Sequence, residues 1–249
     1  RDTDRSRGLG DVYKRQGNIC CKIDMVSKIV KKNVIYVDIC GTLYLSNTTF
    51  DFLNFYFSKN SLWTLFHYIY TSIIGRLINK TFINIVGVDV TRMLAVLFLK
   101  GIKRSTLELA AQNFYDNFLY KRRNKLAFDL LYELKEKNTL FLASATLDFI
   151  AEIISKNIGI PVAISTELFY LDNVCMGSYK EEVMGNKYDT LEKKNFCLDS
   201  YIVITDNISD AKLVQKSLFS YVFVNTSMQK KWNKIFSKNM NNIKMIHYA

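Results

Sequence analysis

Five polar residues far apart in the chain each follow, or closely precede, a short apolar run: Asp38, Ser144, Lys187, Asp206 and Asp210. Asp38 closes the run Val34 to Val37, Ser144 closes 139–143, and Thr205 and Asp206 close Tyr201 to Thr205. Asp210 lies four residues beyond Asp206, and Lys187 opens the helical stretch "NKYDTLEKK". Carboxylates, a hydroxyl and a lysine at one crevice suit phosphoryl transfer. Asp38 and Asp206 are oxygen ligands of the kind Mg²⁺ prefers. Ser144 can donate to a phosphoryl oxygen, and Lys187 can offset charge that grows in the transition state. Asp38 is then a candidate nucleophile, attacking phosphorus to give an aspartyl-phosphate. The cation would screen the repulsion between an anionic nucleophile and an anionic substrate. Taken singly, each of these residues is as well explained as a helix cap or a solvated turn residue; their joint placement carries the reading.

That placement requires an open parallel sheet, where ligands bind outside the carboxyl ends of the strands. Apolar runs of strand length recur at 34–37, 139–143, 162–165, 201–205 and 221–224. Helical patterns separate them at 125–137, 147–157 and 209–217. Continuous apolar strands alternating with helices predict an α/β fold, a Rossmann-like parallel sheet with helices on both faces. Residues 168–180, with Asp172-Asn173 at their middle, predict a hairpin. From 50 to 122 aromatic and aliphatic residues recur at helical spacing without a strand signal, which predicts an inserted all-helical cap. The expected core is 25–49 together with 123–249. Within the inserted block, 61–78 reads as one apolar helix, buried or in contact with a membrane, and too interrupted by Arg76 and His67 to span one.

The 249 residues, 49% hydrophobic and with a single proline, are enough for one substantial core. Residues 1–24 read as a non-native or disordered leader: the first sixteen mix charges without apolar periodicity, and "DVYKRQ" resembles translated adapter sequence. The leader holds six basic and four acidic residues of a chain whose net charge is +11, so +9 belongs to the body. That excess is spread among lysines without a compact basic run, which argues against nucleic acid and leaves phosphates or anionic headgroups as attracted partners. Cys40, Cys175 and Cys197 lack zinc-ligand spacing and are odd in number, so a disulfide scaffold is not expected and a reducing, cytoplasmic setting is. No signal-peptide pattern opens the chain.

Four segments in order resemble the motifs of the haloacid dehalogenase (HAD) superfamily, and within it the phosphoserine-phosphatase-like subgroup. "YVDICGTLY" resembles the first motif, D-x-D-G-T-L, and "LFLASATLDFI" the second. "NKYDTLEKK" resembles the lysine-bearing third motif, and "VITDNISDAKL" the fourth, G-D-x-x-x-D. The resemblance spans roughly 30 to 225, with the helical block in the position of the family's cap. It implies that Asp38 is nucleophile and metal ligand, with the Cys40 carbonyl and Asp206 as further ligands of Mg²⁺. Asp210 would support the metal's waters or orient the lysine. Ser144, Lys187, Gly41 and Ala145 would surround the phosphoryl group, and Thr42 would be structural.

Two departures matter. Thr205 stands where the fourth motif has glycine, and Cys40 stands where family phosphatases carry a second aspartate. That aspartate protonates the leaving oxygen and then activates water, assistance typically worth about 10²–10⁴-fold. A thiol replaces it poorly. Family branches without it include P-type ATPases, phosphonatases and dehalogenases. A dehalogenase does not need Asp206 and Asp210, and no cap lysine is recognisable as a Schiff-base former. Phosphoserine is disfavoured as substrate, because "LSNTTF" offers Asn47 where an amine-binding Glu is expected. The expected activity is Mg²⁺-dependent hydrolysis or transfer of a phosphomonoester, slowed by Cys40, on a small phosphorylated substrate. The alternatives are an impaired, ligand-binding pseudoenzyme, and an enzyme of amphipathic or lipid phosphates with peripheral membrane contact.

Overall fold

A computed structural model describes residues 32–87, 89–236 and 241–248; the leader expected at 1–24 lies outside them. Strand β1 (Val34–Val37) is followed by helices α1 (Thr48–Tyr56), α2 (Ser61–Thr71), α3 (Ile73–Val86), α4 (Val90–Leu97) and α5 (Arg104–Phe114). A π-turn (Tyr115–Leu119) and a 3₁₀ turn (Tyr120–Arg122) then lead to α6 (Lys125–Lys135) and β2 (Thr139–Leu147). The remainder alternates: α7 (Asp148–Ile158), β3 (Val162–Leu171), β4 (Val174–Glu181), α8 (Lys187–Lys193), β5 (Tyr201–Thr205), α9 (Ala211–Gln215), β6 (Phe219–Val224), α10 (Thr226–Ile235) and β7 (Ile243–His247).

The seven strands form one sheet in the order β4-β3-β2-β1-β5-β6-β7, parallel except for the β3–β4 hairpin. This is a Rossmann-like α/β fold. At the hairpin turn Asp172 and Asn173 both adopt positive φ, 49° and 62°, as a two-residue turn matched to strand twist requires. β1 is buried along its whole length because both its faces are covered. Ile35 and Val37 pack with the inserted helices, α6 and α7, whereas Val34 and Tyr36 pack with Leu191, Leu213 and Trp232 of α8, α9 and α10. The alternation is the period of a strand expressed in a two-sided core.

Two expectations are corrected, and one strand goes beyond them. β2 does not end at Ser144 but continues to Leu147, its last residue paired with Thr166 of β3 across register shifts. The stretch 61–78 is not one helix: it breaks at Ser72, whose ψ is 158° and whose hydroxyl caps α3 by accepting from Gly75 N. A Cβ on Gly75 would lie 2.3 Å from the backbone oxygen of Ile69, so the two helices meet closely only because that side chain is absent. β7 was unforeseen, because its half-exposed "IKMIH" has neither a continuous apolar run nor a clean alternation.

The helical block is fastened to the sheet by backbone and by charge. Gly101 N donates to Cys175 O, Cys175 N to Ile102 O, and Arg104 N to Asn173 O. Arg104 also pairs with Glu108 on its own helix and with Asp148 and Glu152 on α7. Burial pushes the Asp148 carboxyl up to about 6, against the opposing pull of Arg104 and of the Phe149 backbone hydrogen bond. A carboxyl whose folded pKa is raised binds its proton more tightly in the native state, so its contribution is full below about pH 4 and is lost as pH rises through 6. The difference is on the order of 3 kcal/mol. Asp148→Asn is therefore expected to flatten the fall in urea-melt stability between pH 4 and 7. An unchanged slope would show that Asp148 titrates normally.

Candidate active site

β1 sits where the chain order reverses, with β2 on one side and β5 on the other. A crevice opens at the carboxyl ends of strands at such a switch point. Asp38 follows β1 directly and its N–H donates to Ile204 O of β5, which brings the Asp206 turn alongside. The next turn is held by Gly41 N donating to Tyr44 O and by Leu43 N and Tyr44 N donating to Ile39 O. Gly41 has φ +75°, and a Cβ there would lie 2.2 Å from Asp206 Oδ2. Only glycine allows both the left-handed backbone and the approach of that carboxylate.

Lys187, at the start of α8, is buried between two carboxylates, 2.9 Å from Asp38 Oδ1 and 2.8 Å from Asp210 Oδ2. Burial pulls its pKa down, but Asp210 and then Asp38 push it further the other way, so the net shift is upward and the ammonium stays charged. Asp38 Oδ1 also accepts from Ile39 N at 2.8 Å. Its other oxygen, Oδ2, is buried with no hydrogen-bond partner among the described residues, and so is Asp210 Oδ1. Burial, and next the charge of Asp38, push Asp206 up to about 7, although a hydrogen bond from Thr42 Oγ1 opposes the shift. Burial likewise raises Asp210 against the pull of Lys187.

Among the described residues, no three His, Cys, Asp or Glu side chains stand ready-made as a metal cage. The donor set nevertheless fits a hard dication. Asp38 and Asp210 pair with the Lys187 ammonium, Asp206 lies within the electrostatic reach of all three, and two carboxylate oxygens are buried without hydrogen-bond partners among the described residues. Such oxygens are costly to leave unpaired. Lys187 stands between two of the acids, which keeps them from closing into a cage by themselves.

Of the other residues singled out by sequence, Ser144 is fully buried, with its hydroxyl 3.0 Å from Thr146 Oγ1. Gly41 N–H is engaged by Tyr44 O, so that glycine supplies space rather than a free donor. The carbonyl of Ala145 accepts from the guanidinium of Arg92. Thr205, the departure from glycine, donates to Asp210 Oδ2 at 2.6 Å and so holds that carboxylate. Cys40 Sγ lies 2.7 Å from Thr48 Oγ1 and 3.3 Å from Thr146 Oγ1, and those two hydroxyls are 2.9 Å apart. Burial, then Asp38, push the thiol pKa up, so it stays protonated at neutral pH.

Arg92, Thr48 and Thr146 were not anticipated. Arg92 projects from α4 into the core, pairing with Glu182 at 3.3 Å. Its one sequence signal was a cation inside the apolar run "VTRMLAVL". Next to Thr48, Asn47 forms part of a cavity of about 500 Å³ whose polar lining includes Asp51, His67, Arg76, Lys80 and Asp89.

A family model described as haloacid dehalogenase-like hydrolase matches residues 35–215. The chain belongs to that family. Its fold is also that of solved structures at low identity. A protein of unknown function from Bordetella pertussis Tohama I aligns with TM-score 0.65 and 13% identity, over 88% of this chain and 99% of that one. Phosphoserine phosphatase in its apo form aligns with TM-score 0.53 and 16% identity, over 81% and 90%. A structure titled as a phospho-aspartyl intermediate analogue of phosphoserine phosphatase aligns with TM-score 0.52 and 18% identity, over 81% and 91%. No curated protein matches the chain by sequence.

Proposed function

We propose that this HAD-family hydrolase is a phosphatase that cleaves small phosphomonoesters through an aspartyl-phosphate on Asp38. The observation that carries the reading is the asymmetry of that carboxylate. Oδ1 is held by Ile39 N and Lys187, while Oδ2, at the carboxyl end of β1, is buried without a hydrogen-bond partner among the described residues. Oδ2 attacks phosphorus, the bond to the leaving oxygen breaks, and water later attacks the same phosphorus to release phosphate and free Asp38. Lys187 keeps its proton and balances charge on the transferring group. Asp210, held by Thr205, fixes Lys187 in place. Ser144 donates to a phosphoryl oxygen.

Mg²⁺, held by Asp38, the Cys40 carbonyl and Asp206 with Asp210 behind them, would neutralise the excess carboxylate charge and draw the phosphate in. The helical block serves as the cap, and its polar cavity suits a hydrophilic leaving group. Hydrolysis of p-nitrophenyl phosphate that requires Mg²⁺ tests the reading. Phosphate binding without turnover under any divalent cation would instead support the ligand-binding pseudoenzyme.

Cys40 sets the pace. A protonated thiol surrounded by Thr48 and Thr146 gives the leaving oxygen and the attacking water no efficient acid or base. Cys40→Asp is expected to raise aryl-phosphate hydrolysis on the order of 10²-fold, since the two threonine hydroxyls can stabilise the new carboxylate. An unchanged kcat would show that the thiol is not what limits turnover.

A further inference from the structure

A cation buried inside an apolar helix must find partners, and those of Arg92 lie in the sheet rather than in the helical block that carries it. The residue stands in the first turn of α4, where its backbone N–H donates to Asp89 Oδ1 at 2.9 Å. Its side chain is only 8% exposed. Two segments of the core meet the guanidinium. One is the far end of β2, where Nη2 donates to Ala145 O. The other is the loop that follows β4, where Nε lies 3.3 Å from Glu182 Oε2. Glu182 is fixed in turn, since its Oε1 accepts from Thr166 Oγ1 of β3 at 2.7 Å. A planar guanidinium engaged on two sides has one orientation, which a flexible ammonium would not keep.

Ala145 O belongs to the same peptide group as Thr146 N, and that N–H donates to Ser144 Oγ at 3.3 Å. Arg92 therefore grips one edge of a rigid plane whose other edge holds the serine. The β2–β3 pairing shifts register between Ala143 and Leu147, so regular ladder geometry does not set this peptide. With Thr146 N as its donor and Thr146 Oγ1 3.0 Å away, the Ser144 hydroxyl is aimed and keeps its own proton to give. Turning the peptide would withdraw the N–H and release the serine. We propose that Arg92 is a positioning residue of the phosphate site: from the helical block it fixes the Ala145–Thr146 peptide, and through it the Ser144 hydroxyl. The inference rests on the phosphatase reading, in which Ser144 donates to a phosphoryl oxygen. Arg92 acts through Ser144 and touches neither the phosphoryl group nor the leaving group.

Inorganic phosphate is the probe, because it has no leaving group and reports the phosphoryl subsite alone. Its binding to the full chain with Mg²⁺ is read by titration calorimetry, and its inhibition constant from aryl-phosphate hydrolysis. Arg92→Gln is expected to weaken phosphate binding by about tenfold, and Ser144→Ala by about the same, the size of one hydrogen bond to a charged group. The double variant should bind hardly more weakly than either single one, since both break the same chain of contacts. If Arg92→Gln unfolds because Glu182 loses its partner, adding Glu182→Gln removes the unpaired charge and keeps the comparison. The proposal is overturned if phosphate binds Arg92→Gln as tightly as wild type, or if the two effects multiply to about a hundredfold. It is also overturned by a raised KM for aryl phosphate with phosphate binding unchanged, which would place Arg92 against the leaving group. If wild type binds no phosphate at all, the phosphatase reading fails and this inference falls with it.

Discussion

Asp38→Asn is expected to lower aryl-phosphate turnover by about 10⁴-fold or more without lowering the melting temperature. The amide keeps an oxygen for Ile39 N and for Lys187, the two partners of Oδ1. It does not keep an anionic oxygen to attack phosphorus. The site holds three carboxylates against one buried ammonium, so removing one negative charge relieves repulsion, and Asp206 should shift back toward the ordinary carboxylate range. Loss of activity with unchanged or higher stability separates a nucleophile from a structural acid, whose removal would lower both. Residual turnover within about tenfold of wild type would rule out Asp38 as the group that bonds to phosphorus.

Lys187→Met has the larger structural consequence. The lysine is almost wholly buried, and its ammonium contacts carboxylates from two different segments. Removing one member of a buried ionic cluster costs about 3–5 kcal/mol, because the partners stay buried and unpaired. In a chain of this size that lowers Tm by on the order of 10 °C. The loss should be greatest above neutral pH and shrink in acid. Without the ammonium, Asp210 would be raised further above its unfolded value, and protonating it removes the repulsion. Adding Asp210→Asn to Lys187→Met should recover part of the stability at pH 8 without recovering activity. Equal urea midpoints for wild type and Lys187→Met at pH 8 would mean that the cluster contributes nothing net to the fold.

Both expectations depend on groups separated by as many as 172 residues along the chain, from Asp38 to Asp210, and much of that convergence could be read before any coordinates. A strand covered on both faces must be apolar throughout, so Val34–Val37 and Tyr201–Thr205 announce themselves. The first polar residue after each run then lies at the carboxyl edge of the sheet. Asp172-Asn173 fixes a hairpin by local backbone preference alone. Helix breaks and edge strands were less legible. Ser72 interrupts 61–78 through a backbone approach that depends on what lies opposite Gly75, and β7 pairs only because β6 offers it an edge.

By itself, then, the order of residues determined the α/β class, the strands that carry the acidic groups and the helical insertion, because these follow from periodicity and local conformational preference. Only tertiary structure decided that Lys187 lies between Asp38 and Asp210, that Thr205 holds Asp210, and that hydroxyls enclose the Cys40 thiol. It also decided that Arg92 of α4 reaches Ala145 and Glu182. Those facts depend on distances between segments remote in sequence, and on burial, which turns a few ångströms into shifted protonation and unpaired charge. Neither quantity is a property of any single stretch of chain.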